Sequence, residues 1–184
     1  DAVKHIPASF YKNLLPKIYH DFNKELFTVG EYWHGDVYHL EKYLKEVNFE
    51  MSLFDVPLHY HFYDASHNEN YDFSHIFDQT LVSMYPSNAV TFVDNHDTEP
   101  SQSLASFIPD WFKGHAYCLT LLRKEGYPCV FYGDLEGIDY ENVSSKKEML
   151  QQLLSLRKQY NEGYQEDYFN HPHLIGWVRC TQTK

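Results

Sequence analysis

Apolar positions along this chain follow two alternating rhythms. Stretches with apolar side chains three and four apart are each followed by a short, continuous apolar run. The first rhythm is one face of a helix; the second is a strand buried on both sides. Residues 9–23 place Phe10, Leu14, Ile18 and Phe22 on one face, with Ser9 as N-cap. The run 26–31 predicts a strand ending in Glu31. Residues 36–47 repeat the helix, with Asp36 as cap and Val37, Leu40, Tyr43, Leu44 and Val47 at helical spacing. Residues 51–55 predict a third element, a strand ending in Asp55 and stopped by Pro57. A helix over 74–84 carries Ile76, Phe77, Leu81 and Met84 and ends before Pro86. A strand over 89–93, a helix over 102–124 through Trp111, Tyr117, Leu121 and Leu122, a strand over 129–134 and a helix over 145–160 complete the series. Beyond residue 160 the rhythm is lost, and 173–178 reads as a strand of a different unit.

Strands alternating with helices of this length imply parallel βαβ units, hence an α/β fold. An open doubly wound sheet would usually carry a glycine-rich phosphate loop, and neither GxGxxG nor GxxxxGK[ST] occurs. A (β/α)8 TIM barrel is therefore favoured. Four complete strands, with Asp1 as the last residue of another, amount to half of such a barrel over 1–160. Residues 161–184 form the transition into something else.

The strand ends bring in the chemistry. The strand over 89–93 stops in Asp94-Asn95-His96-Asp97, four adjacent polar side chains. In parallel barrels the active site is built from carboxyl-terminal strand ends and the loops after them. A single acid there is more often a helix cap or an ion-pair partner, but here the placement repeats. Glycoside hydrolysis with retention needs two carboxyl groups about 5 Å apart, and strands about 4.8 Å apart bring their end residues to one mouth. Asp1, Glu31 and Asp97 meet that requirement. Asp134 is a possible fourth on the rim, although Gly133-Asp134 also suits a simple turn. The competing chemistry is a metal site: His59 and His61, two apart, would point the same way on a strand, and His171/His173 and His96/Asp97 are further pairs. No HExxH supports a catalytic zinc.

Composition narrows the partners. The chain has 184 residues, and 26 Asp plus Glu against 15 Lys plus Arg give a formal charge of -11 without a sustained basic stripe, so nucleic acid is not an expected partner. No apolar run approaches the roughly 18 residues of a membrane span. The 16 Tyr and 13 Phe suit stacking on sugar rings and suit a large aromatic core equally well. Cys118, Cys129 and Cys180 are odd in number and lack CxxC spacing, which fits a reducing compartment better than a disulfide framework. Without a start Met or signal-peptide pattern, the chain reads as part of something longer.

Asp1-Ala2-Val3-Lys4-His5, Phe27-Thr28-Val29-Gly30-Glu31-Tyr32-Trp33 and Thr91-Phe92-Val93-Asp94-Asn95-His96-Asp97 resemble three signature segments of the alpha-amylases of glycoside hydrolase family 13. Residues 54–60 and 126–134 are similar to the bacterial liquefying type in particular. The resemblance implies the C-terminal half of the catalytic barrel over 1–160, followed by the first strand of a β-rich C-terminal domain in 161–184. It makes Asp1 the nucleophile, Glu31 the general acid/base and Asp97 a third carboxylate that holds sugar hydroxyls as the ring distorts. It further implies substrate contacts from Lys4, His5, Trp33 and His96, with Tyr32 and Trp33 forming an apolar wall beside Glu31. It implies a structural calcium ion to which His5 contributes its backbone carbonyl while the other ligands lie elsewhere. The substrate would be an alpha-1,4-glucan such as starch, glycogen or maltodextrin, and the enzyme monomeric. Val29-Gly30-Glu31 and residues 142–147 are closer to cytoplasmic members. The 184-residue piece alone is expected to be inactive. A family-13 transglycosylase and a non-catalytic glucan-binding fragment are the alternatives.

Overall fold

Four of the apolar runs pair as short parallel strands in the computed structural model, which describes residues 1–160 and 162–180. β1 (Val29–Gly30), β2 (Ser52–Phe54), β3 (Ala89–Thr91) and β4 (Tyr127–Pro128) lie in that order in one sheet. The register pairs Gly30 with Leu53, Phe54 with Val90, and Thr91 with Pro128. Each strand neighbours the next in sequence, and the order never reverses, unlike that of a doubly wound sheet. All four strand ends therefore face one way.

Helices fill the crossovers: α1 (Ala8–Phe22), α2 (Val37–Glu46), α3 (Val56–His67), α4 (Leu81–Met84), α5 (Asp110–Leu122), α6 (Tyr132–Glu136) and α7 (Lys147–Tyr160). Asp36 caps α2 as expected, its carboxylate accepting from Tyr38 N. Leu40 and Leu44 of α2 pack with Leu53, Leu58, Phe62, Ile108, Phe112, Tyr117 and Leu150 in one core.

Several local expectations are corrected. Helix α1 starts at Ala8 behind Pro7, so Ser9 lies inside the first turn, and Ala8 and Leu15 are buried while Phe10 and Phe22 are exposed. Pro57 stops no strand end in a loop: it sits in the first turn of α3, where its missing N–H costs nothing. The segment 74–84 is not one helix. Gln79 takes a left-handed backbone (φ 52°), and the chain restarts at Thr80, whose side chain caps α4. Helix α5 begins only at Asp110, because the residue before a proline avoids helical backbone and Ile108 precedes Pro109. β4 lies two residues earlier than expected, and Tyr132–Glu136 is helical, ended by Gly137 at φ 90°.

Residues beyond α7 form an antiparallel hairpin of β5 (Tyr164–His171) and β6 (Leu174–Cys180), where only one strand was expected. β5 is almost wholly exposed and polar, so no apolar alternation announces it. The hairpin is tied down by Phe73 N to Pro172 O at 2.9 Å and by Arg123 to Asp167 at 2.9 Å. Asn161 and residues 181–184 of the expected 161–184 unit lie outside the described residues.

Candidate active site

Parallel pairing puts Glu31, Asp55 and the Asp94–Asp97 segment at the same end of the sheet. The first residues of the chain join them at the free edge of β1. Val3 N donates to Glu31 O at 2.9 Å, and Ala2 N donates to Glu31 Oε2 at 2.7 Å. Lys4 Nζ reaches the backbone oxygen of Trp33 at 3.2 Å. Ala2 and Lys4 are thus bonded to Glu31 and Trp33 respectively, each across 29 positions of sequence. Asp1 is exposed and Glu31 half-buried, so both remain open to a ligand.

Trp33 is only 7% exposed and packs against Val56 and Phe92, with its indole N–H donated to Tyr60 Oη at 3.0 Å. It backs the site from beneath, so here the expected contact with substrate is not an open one. Lys4 and His5 line a surface cavity of about 330 Å³ with Tyr32, His39 and Tyr43. A larger hollow of about 510 Å³ lies between α5, α7 and β6. Its lining among the described residues, Leu121, Leu122, Leu156, Tyr160, Trp177 and Val178 with Arg157 and Arg179, is mainly apolar.

Asp97 and His96 stand on the loop after β3. His96 Nε2 lies 3.6 Å from Asp97 Oδ2, and the side chain of His96 is 76% exposed against 35% for Asp97. The loop is tightly held. Asn95 Oδ1 accepts from Asp97 N at 2.9 Å and from Thr98 N at 3.0 Å, an Asx turn, and Asp97 O accepts from Leu104 N at 3.2 Å.

The other strand-end acids do different work. Asp55 is fully buried and accepts from Leu58 N, Leu81 N and Val82 N, capping α3 and α4 together. Burial pushes its carboxyl up to about 6, against the three amides that pull it down. Asp134, expected as a possible fourth carboxylate on the rim, is corrected: it is buried inside α6. Its oxygens accept from Lys113 Nζ and Tyr117 Oη, both at 2.6 Å. Lys113 also pairs with Asp94, whose carboxyl burial raises to about 7 while the lysine pulls it down.

The histidine pair is corrected too. His59 and His61 lie in α3, where residues two apart diverge. His61 meets Tyr71 Oη and Asp78 O, and His59 is buried against Val93 O at 2.6 Å and Ser106 Oγ at 2.8 Å. A carbonyl only accepts, so His59 Nδ1 carries the proton. Among the described residues no group of three or more His, Cys, Asp or Glu is arranged to hold a metal ion. Calcium takes 6–8 oxygen ligands, so the single carbonyl expected from His5 does not amount to a calcium site within these residues.

His59 yields a pH prediction. Burial lowers it from 6.5 to about 4, so between those values the unfolded chain binds the proton that the fold refuses. Its contribution to stability is complete above about pH 6.5 and declines as pH falls toward 4, by about 3 kcal/mol in all. Urea unfolding of the parent protein across that window should show a flatter pH slope for His59→Gln than for wild type. Equal slopes would assign the acid sensitivity elsewhere.

Sequence reasoning did not single out Lys113 and gave no role to Asp55 or Tyr60. Lys113 did leave a signal: it is a lone charge on the apolar face formed by Phe112, Ala116 and Tyr117.

The family model described as "Alpha amylase, catalytic domain" matches residues 8–174. The chain is 49% identical to an alpha-amylase of Geobacillus stearothermophilus and 46% identical to a glucan 1,4-alpha-maltohexaosidase of Bacillus sp. (strain 707). It is 42% identical to the cytoplasmic alpha-amylase of Escherichia coli. Each match covers 97% of this chain but 33%, 35% and 38% of those proteins, so the chain spans about a third of their length. A cyclomaltodextrin glucanotransferase with a three-domain ABC distribution superposes with a TM-score of 0.73 at 20% identity, over 99% of this chain and 41% of that one, a likeness of fold. No helix among the described residues is long and apolar enough to cross a membrane. With the family model matching residues 8–174 and a parallel sheet of consecutive strands, the chain belongs to the alpha-amylase catalytic-domain family.

Proposed function

We propose that the parent protein hydrolyses internal alpha-1,4 bonds of starch, glycogen or maltodextrin with retention at the anomeric carbon. The observation that supports this is the bond from Ala2 N, the residue next to Asp1, to Glu31 Oε2 at 2.7 Å at the strand ends. In this reading Asp1 attacks the anomeric carbon while Glu31 gives its proton to the departing glycosidic oxygen. The glycosyl ester on Asp1 is then cleaved by a water that Glu31 deprotonates, restoring both groups. Asp97 grips sugar hydroxyls as the ring flattens, and His96 hydrogen-bonds the same sugar. Lys4 and His5 bind on the leaving-group side, beside the cavity they line, and Trp33 supports Glu31 from behind.

The chain corresponds to the C-terminal half of the catalytic barrel over residues 1–160, and the hairpin begins a β-rich domain. Among the described residues β1 and β4 each have one neighbour in the sheet, so the 184-residue piece by itself is expected to be inactive. The intact enzyme would be a monomer carrying a structural calcium held mostly by residues outside this chain. The free cysteines and the cytoplasmic relative support a cytoplasmic location.

The test uses the full-length parent on soluble starch, with reducing ends assayed and fresh products followed by proton NMR. Initial appearance of α-anomers supports retention; β-anomers overturn it. Release of transfer products in place of reducing ends would favour a transglycosylase acting through the same three carboxylates. Glucan binding without turnover would favour a non-catalytic module.

A further inference from the structure

Lys113 is 1% exposed and lies between two carboxylates, those of Asp94 and Asp134, with the Phe107 ring 3.6 Å from its ammonium. All of the charge is buried, and burying an ion pair costs several kcal/mol per ion before its attraction is counted. Apolar residues of similar volume often pack as stably in such places, so fold stability alone is a poor reason for a lysine here. The geometry supplies a better one. Asp94, which Lys113 holds, closes the loop that bears Asp97 at both of its ends. Its carboxylate accepts from Thr98 Oγ1 at 2.8 Å, four residues on, and from Ile108 N at 3.2 Å, fourteen residues on. Thr98 Oγ1 in turn accepts from Asn95 N at 3.1 Å, and Asn95 Oδ1 fixes Asp97 N. A single path of hydrogen bonds thus runs from the ammonium of Lys113 to the backbone of Asp97. Asp134, itself held by the Tyr117 hydroxyl, fixes the other side of the lysine, so α5 and α6 clamp the loop after β3.

We propose that Lys113 is a positioning residue for Asp97, acting through Asp94 and Thr98 on the loop between residues 94 and 108. The proposal rests on Asp97 being the group that holds the distorting sugar. Its effect belongs in kcat, since a contact that strengthens in the transition state is lost when Asp97 is misplaced, and a displacement of about 1 Å can cost about a hundredfold. A lysine that served the fold alone would alter thermal stability and leave the rate of the folded enzyme alone.

The full-length parent is assayed on soluble starch below the melting temperature of each variant. Thr98→Val, which keeps the shape and removes the hydroxyl relay, should lower kcat by about tenfold to a hundredfold with KM within about twofold. Thr98→Ser keeps the relay and should restore most of kcat. Lys113→Met should lower kcat in the same way, and its combination with Thr98→Val should cost less than the product of the two losses. If Lys113→Met does not yield folded protein, Asp94→Asn replaces it, because an amide offers one acceptor oxygen where the lysine and Thr98 use two. Lowered melting temperatures with kcat within twofold of wild type would overturn the proposal. Asp97→Asn separates the two levels. An unchanged rate there overturns the reading of Asp97 and the positioning with it, whereas a large loss there with none in Thr98→Val overturns the positioning alone.

Discussion

Glu31→Gln in the full-length parent should lower kcat on starch by about a hundredfold to ten-thousandfold, the usual worth of a positioned general acid/base. The substitution is selective. An amide oxygen can still accept from Ala2 N, so the 2.7 Å bond that seats the side chain survives, while the proton that the leaving oxygen needs is gone. KM should change little, because the loss falls on a bond-breaking step. An aryl glycoside whose phenolate leaves without a proton should recover much of the first step and still stall at the second, where Glu31 acts as base. That asymmetry distinguishes lost acid catalysis from damage to the fold. A rate within tenfold of wild type on starch would remove Glu31 from the proton-donor role.

The strand-end acids show how much was legible and where legibility stopped. Apolar runs ending in an acid located β1 to β3 to within a few residues, because strands buried on both faces leave a pattern that survives without an alignment. The same pattern could not say what each acid does. Glu31 and Asp97 remain partly exposed, while Asp55, Asp94 and Asp134 are buried and consumed by backbone amides, a threonine hydroxyl, a tyrosine and Lys113. The difference lies in partners from distant segments, Leu81 for Asp55 and Lys113 for Asp94, that local periodicity does not encode. Helix α3 was missed for a related reason. Its residues Val56–His67 are rich in aromatics and histidine at no clean helical spacing, and both His59 and Phe62 are fully buried. Pro57 read as a stop because its effect depends on whether it falls before or inside a first turn, and that was decided by Asp55 capping from the strand end.

Asp55→Ala should accordingly be among the most damaging single changes to stability, although Asp55 touches no part of the proposed reaction. Its Oδ1 accepts from Leu58 N at 3.2 Å and Leu81 N at 3.0 Å, and its Oδ2 from Val82 N at 2.7 Å. One side chain therefore satisfies first-turn amides of two helices in a place water does not reach. Losing an N-cap costs about 1–2 kcal/mol, and each buried donor left without a partner costs about 1–3 kcal/mol. These costs overlap, so about 3–5 kcal/mol is the expected loss, measured by urea unfolding of the full-length protein. Asp55→Asn should lose less, since its amide oxygen keeps the two bonds at Oδ1 while its NH2 faces the donor Val82 N. At a temperature where both variants remain folded, kcat on starch should stay within about twofold of wild type, because a cap that stabilises without shaping the reacting geometry acts on folded fraction alone. A loss below about 1 kcal/mol in Asp55→Ala would mean that the amides find other partners. A fall in kcat at full occupancy of the folded state would instead move Asp55 into the group of acids that shape the site, beside Asp94.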